Sequence, residues 1–161
     1  MRFAASGRFV FVAQWPAAVV LPLFFLVGRA LVGSELGFMV VLGIVFVPLA
    51  IGLLLAPPLL TRFDLESRRV RATRLAYDVA SFGLWGGCVL AALSVEDSLG
   101  FVDVPSAIST WTGASSNDSA AVFAAAVALI GVSYLAAVLL AIMGILRGRD
   151  RASTTSDATL A

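Results

Sequence analysis

Residues Leu36 to Leu60 read LGFMVVLGIVFVPLAIGLLLAPPLL, an unbroken run of 25 positions that holds only apolar side chains, glycine and proline. As an α-helix this run is about 37 Å long, more than the roughly 30 Å hydrocarbon layer that about 20 residues can cross. A charge-free run of this length has no place in a small soluble core, so it predicts a membrane span.

Three further runs carry the same signature. Phe9 to Val27 has Gln14 as its only clearly polar side chain, Leu75 to Leu93 is interrupted by Asp78 and Ser81, and Ala120 to Leu146 contains only Ser133 and Tyr134. None alternates with the period of two that a barrel strand requires. Composition agrees: 60% of the 161 residues are hydrophobic and 13% charged, against about 25% charged in a soluble domain. The fold class expected is an all-α membrane protein, four transmembrane helices in an antiparallel up-down-up-down bundle. The expected division is one transmembrane domain over 1–146 and a disordered cytoplasmic tail over 147–161, whose Ser-Thr-Thr-Ser run lacks apolar periodicity. Arg2 and Arg8 ahead of the first run resemble the start of a signal peptide. That run exceeds the roughly 7–15 residues of such a segment, and Arg29 stands where a cleavage site needs small neutral residues. A retained first helix is expected.

Arginine placement sets the orientation, because basic loops resist translocation. Arg2 and Arg8 precede span one, the loop 61–74 holds Arg62, Arg68, Arg69, Arg71 and Arg74, and Arg147, Arg149 and Arg151 follow span four. Only Arg29 falls on the other side, and the loop 95–119 carries Glu96, Asp97, Asp103 and Asp118 with no arginine. Both termini are therefore expected in the cytoplasm, with the protein multi-pass in the cell membrane. Arg29 and Glu35 flank the short outer hairpin and are expected to pair across it.

Much chemistry is excluded. There is no histidine and a single cysteine, Cys88, so neither an internal disulfide, a paired-thiol redox motif, a histidine-ligated metal nor a histidine base can form. Cys88 sits in an apolar stretch and reads as a small hydrophobe. A net charge of +1 offers no field for nucleic acid. No catalytic residue, metal or cofactor is expected, and the chain is not expected to be an enzyme.

The remaining features are few. Prolines crowd the first half: Pro16 and the pair Pro57–Pro58 are expected at helix ends, Pro22 and Pro48 as mid-span kinks. Asp78 is the only acid inside a span and the candidate ion or proton site, although Arg74, four residues earlier, can pair with it on one helix face. Ala76, Ala80, Gly83, Gly87 and Ala91 form a small-residue stripe that Ser133, Ala137 and Ala141 repeat on span four. Gly83, Gly87, Ala137 and Ala141 are the expected helix-packing positions. Asp64 and Glu66 suit the start of a helix running on into span three. The following Arg68, Arg69, Arg71 and Arg74 are expected to touch lipid headgroups. In the outer loop Phe101, Val104, Ile108 and Trp111 fit a short amphipathic segment at the interface. Asn117-Asp118-Ser119 matches a glycosylation sequon, making Asn117 a candidate acceptor.

Two functions follow as expectations. Spans one, two and four show no convergence of polar side chains, which favours a non-catalytic accessory or scaffold subunit whose partners are the bilayer, other membrane subunits or itself. The alternative is a small oligomeric transporter or channel using Asp78.

Overall fold

The structure is a computed structural model that describes residues 6–31, 39–99 and 102–159, with side chains placed for 6–28, 41–96 and 104–148. Four long helices dominate: α1 (Ser6–Leu31), α2 (Met39–Phe63), α4 (Leu75–Ser94) and α6 (Ser116–Thr159). All four are long and apolar enough to cross a membrane. Their outward faces are greasy, with Val12, Ile44, Val45, Val79, Val132 and Leu135 among the exposed side chains. That surface suits acyl chains as solvent and would be untenable in water.

Helix α4 is the hub. Of its span 44% is buried, against 17–22% for the other three, because its small side chains let neighbours close in. A Cβ on Gly83 would stand 2.5 Å from Ser133 Oγ, and one on Gly87 would stand 2.8 Å from Ile130 Cγ1 and 3.2 Å from the Ala126 carbonyl. Ala80, Ala137 and Ala141 complete this contact in a core cluster with Val10 and Tyr77. The stripe holds from Ala80 to Ala91, but Ala76 is exposed. It lies in the first turn of α4.

The helices run through their prolines. Pro16 and Pro22 lie inside α1, and Pro48, Pro57 and Pro58 inside α2, so neither Pro16 nor the Pro57–Pro58 pair marks a helix end. After Phe63 the chain does not continue smoothly into α4. Asp64 caps a short helix α3 (Leu65–Val70), its carboxylate accepting from the Glu66 and Ser67 N–H groups. Arg71 then breaks the helix with left-handed φ 52° and ψ 42°, and Arg74 restarts it as the extended residue before Leu75.

The connection between α4 and α6, expected as a short amphipathic segment, holds further elements. Strands β1 (Asp97–Leu99) and β2 (Val102–Val104) pair antiparallel, followed by α5 (Ala107–Thr112). Val104 is buried, Ile108 half-buried and Trp111 exposed. Ser106 caps α5, and its hydroxyl meets those of Ser119 and Ser109 at 2.8 and 3.0 Å, while Ser109 and Ser119 are 2.7 Å apart. Ser115 and Asp118 form a reciprocal cap at the start of α6, which satisfies donors that a helix end leaves open. At the other end α6 persists to Thr159, so 147–159 is helical where a disordered tail was expected. Extending an existing helix needs no new nucleus, and each added residue gains one hydrogen bond. The Arg29–Glu35 pairing and Phe101 lie outside the described side chains.

Candidate functional site

The buried charged side chains, with Gln14, Thr61, Ser67, Thr73 and Tyr77, gather at one end, where the starts of α1 and α4, the end of α2, α3 and the region of α6 around Gly144 meet. The contacts begin with backbone. Thr73 N–H donates to the Gly7 carbonyl at 3.1 Å, pinning the start of α1 to the segment before α4. Beside this junction lies Asp78, 1% exposed. Ser6 Oγ donates to its Oδ2 at 2.7 Å, and Thr73 Oγ1 donates to its Oδ1. As a first-turn residue of α4, the carboxylate also sits at the positive end of that helix's dipole.

Asp78 does not pair with Arg74. Arg74 reaches the other way, its Nη2 lying 2.9 Å from Glu66 Oε2 and 3.4 Å from Asp64 Oδ2. The i,i+4 argument fails because Arg74 is not helical: with φ −85° and ψ 148° it precedes the first turn, and its side chain leaves on a different bearing. Asp64 is held fourfold, by the Glu66 and Ser67 N–H groups, by Ser67 Oγ at 2.9 Å and by Arg74. Helix α6 covers this pair with a glycine, since a Cβ on Gly144 would come within 2.5 Å of Asp64 Oδ2 and 3.2 Å of Arg74 Nη1. Buried and committed to two carboxylates, Arg74 is withdrawn from the lipid-facing set. Arg68, Arg69 and Arg71 remain exposed.

A second thread ties three helices together. The Tyr77 hydroxyl donates to Gln14 Oε1 at 2.8 Å, Gln14 Nε2 lies 3.3 Å from Thr61 Oγ1, and Thr61 Oγ1 donates to the Pro58 carbonyl at 2.8 Å. Polar convergence therefore exists where none was expected. Gln14 was visible in span one, but Thr61 read as a loop residue and Tyr77 carried no expectation. The signal available was their common depth at one end of three successive spans. Thr61, Asp64, Ser67, Thr73, Arg74 and Tyr77 line a cavity of about 20 Å³, room for roughly one water molecule.

Beyond this layer the buried polar side chains of α4 and of the middle of α6 are serines alone, Ser81, Ser94 and Ser133. Ser81 Oγ donates to the Tyr77 carbonyl within its own helix. A crevice of about 440 Å³ between Leu21, Pro22, Leu54, Cys88, Phe123 and Ile130 then presents an almost wholly apolar wall toward the end bearing the β-hairpin. Cys88 belongs to that wall. Among the described residues no group of three or more acidic or cysteine side chains is placed to hold a metal. Asn117 is exposed, but Ser119 of the same sequon is fully buried in the serine cluster, within the first turns of α6. Comparison with protein-family models, with curated proteins and with solved structures gives no match to this chain.

Proposed function

We propose that this chain is a non-catalytic accessory or scaffold subunit of a membrane complex, its four spans antiparallel in up-down order and both termini in the cytoplasm of a cell. The observation that carries the reading is where polarity lies. The buried charged side chains and the Tyr77–Gln14–Thr61 thread lie at the arginine-rich end and are partnered within the chain, while the crevice beyond them is apolar. A transporter needs polar groups along its path, and a scaffold needs only stable faces. Helix register supports the up-down order, since Gly83 meets Ser133 while Gly87 meets Ile130 and Ala126. Copurification from native membrane in mild detergent tests the reading. Distinct partner bands in constant proportion are expected, and a pure homo-oligomer would contradict it.

One observation favours the second reading, a small oligomeric transporter or channel. Asp78 is a buried carboxylate held by two hydroxyls rather than by an arginine, which leaves it able to exchange a proton or cation. Proton or cation flux into vesicles separates the two readings. The accessory reading expects no flux from the wild type and no change in Asp78→Asn. A wild-type flux that disappears in that variant reverses the order.

A further inference from the structure

The bend between α2 and α4 presents a surface that the bundle itself does not use. On α3, Ser67 faces the core, while Leu65, Arg68 and Arg69 share the opposite side of the turn. Leu65 is 60% exposed and Phe63 69% exposed, with Arg71 also outward, while Arg62 is turned to α1, its guanidinium 4.9 Å from the centroid of the Trp15 ring. Apolar side chains this exposed are unfavourable in water, and guanidiniums this close to them are unfavourable in hydrocarbon. The headgroup layer accommodates both, as in helices that lie along a membrane surface.

Charge sharpens the assignment. The two acidic side chains of the bend, Asp64 and Glu66, are engaged by Arg74 from the bundle side. The outward arginines therefore present positive charge to whatever lies beyond. Arg71 adds an independent observation. Its φ of 52° is a conformation that glycine or asparagine adopts at lower cost in a helix-ending turn. Arginine at that position is not explained by the turn and is explained by its charge. Guanidinium is also the cation whose planar donors match phosphate oxygens two at a time.

We propose that Arg68, Arg69 and Arg71, flanked by Phe63 and Leu65, form a docking surface for anionic phospholipid headgroups that selects them over zwitterionic ones. This rests on the membrane-spanning reading above and adds to it a lipid preference and a place for it.

The full chain, reconstituted in nanodiscs of mixed phosphatidylcholine and phosphatidylglycerol, provides the test. Spin-labelled versions of each lipid report the ratio of their association with the protein surface. A preference for phosphatidylglycerol on the order of fivefold per engaged arginine is expected at low salt, shrinking as salt rises. The triple variant Arg68→Gln/Arg69→Gln/Arg71→Gln should enter discs with unchanged helix content and melting temperature, since all three side chains are exposed, yet lose most of that preference. A ratio near one in the wild type, or an equal ratio in both proteins, overturns the proposal. So does displacement of the lipid by millimolar inorganic phosphate beyond that caused by chloride at equal ionic strength, which would make the surface a free-anion site. A chain that does not enter the discs contradicts the membrane reading, and the proposal falls with it.

Discussion

Arg74 and Asp64 meet across ten residues and a helix break, and the pair matters because it is enclosed. With side-chain exposures of 9% and 5%, neither charge can return to water if its partner is removed. Removing Asp64 costs about 1–3 kcal/mol, because the buried donors that faced it lose their acceptor while Arg74 keeps Glu66 at 2.9 Å. Asp64→Ala, which also removes the α3 cap, is expected to lower stability by that amount in detergent unfolding, whereas Glu66→Ala, at a side chain 35% exposed, should cost about 0–1 kcal/mol. Equal losses would show that the pair is not enclosed. Gly83 supplies a second test at this scale. Gly83→Ala places a methyl against Ser133 Oγ and should destabilise by about 1–3 kcal/mol through overpacking. Adding Ser133→Ala removes the obstructing oxygen and should restore most of the loss. The small-residue face was legible because glycine spacing states it directly. The partner of Arg74 was not, because pairing by sequence distance assumes an unbroken helix, and nothing in Arg71-Ala72-Thr73 announces the break.

At the scale of elements, the long helices were readable to within a few residues at every boundary but the end of α6, since a span must satisfy its backbone internally and so must be a continuous apolar helix. The connections were less so. A left-handed residue is normally signalled by glycine, and Arg71 gave no such sign. Arg71→Gly is accordingly expected to leave the fold intact and to be neutral or stabilising by up to about 1 kcal/mol. A β-branched Arg71→Val should destabilise by more than that in the same unfolding assay. Strands β1 and β2 hold three residues each, too few for alternation to register, although Gly100-Phe101 between them is the Gly-X pattern of a two-residue hairpin. The start of α6 was legible in principle as well: Ser115-Ser-Asn-Asp118 is a capping-box sequence, which the overlapping sequon obscured. The tail is a different case, since composition speaks to whether a segment can start a helix and not to whether one already formed can extend.

For the whole molecule, the division of labour between its two ends is the central feature. One end holds the buried ion pair, Asp78 and the Tyr77–Gln14–Thr61 thread; the other holds the β-hairpin, α5 and the serine cluster. Between them the surface and the main crevice are apolar. The proposed topology, with the first end in the cytoplasm, rests on arginine counting. Cysteine accessibility on intact cells measures it most directly. In a Cys88→Ala background, Ser115→Cys at the exposed end of the outer loop should react with a membrane-impermeant maleimide. Ser156→Cys in the tail should react only after the membrane is permeabilised. Labelling of Ser156→Cys but not of Ser115→Cys on intact cells would contradict the account.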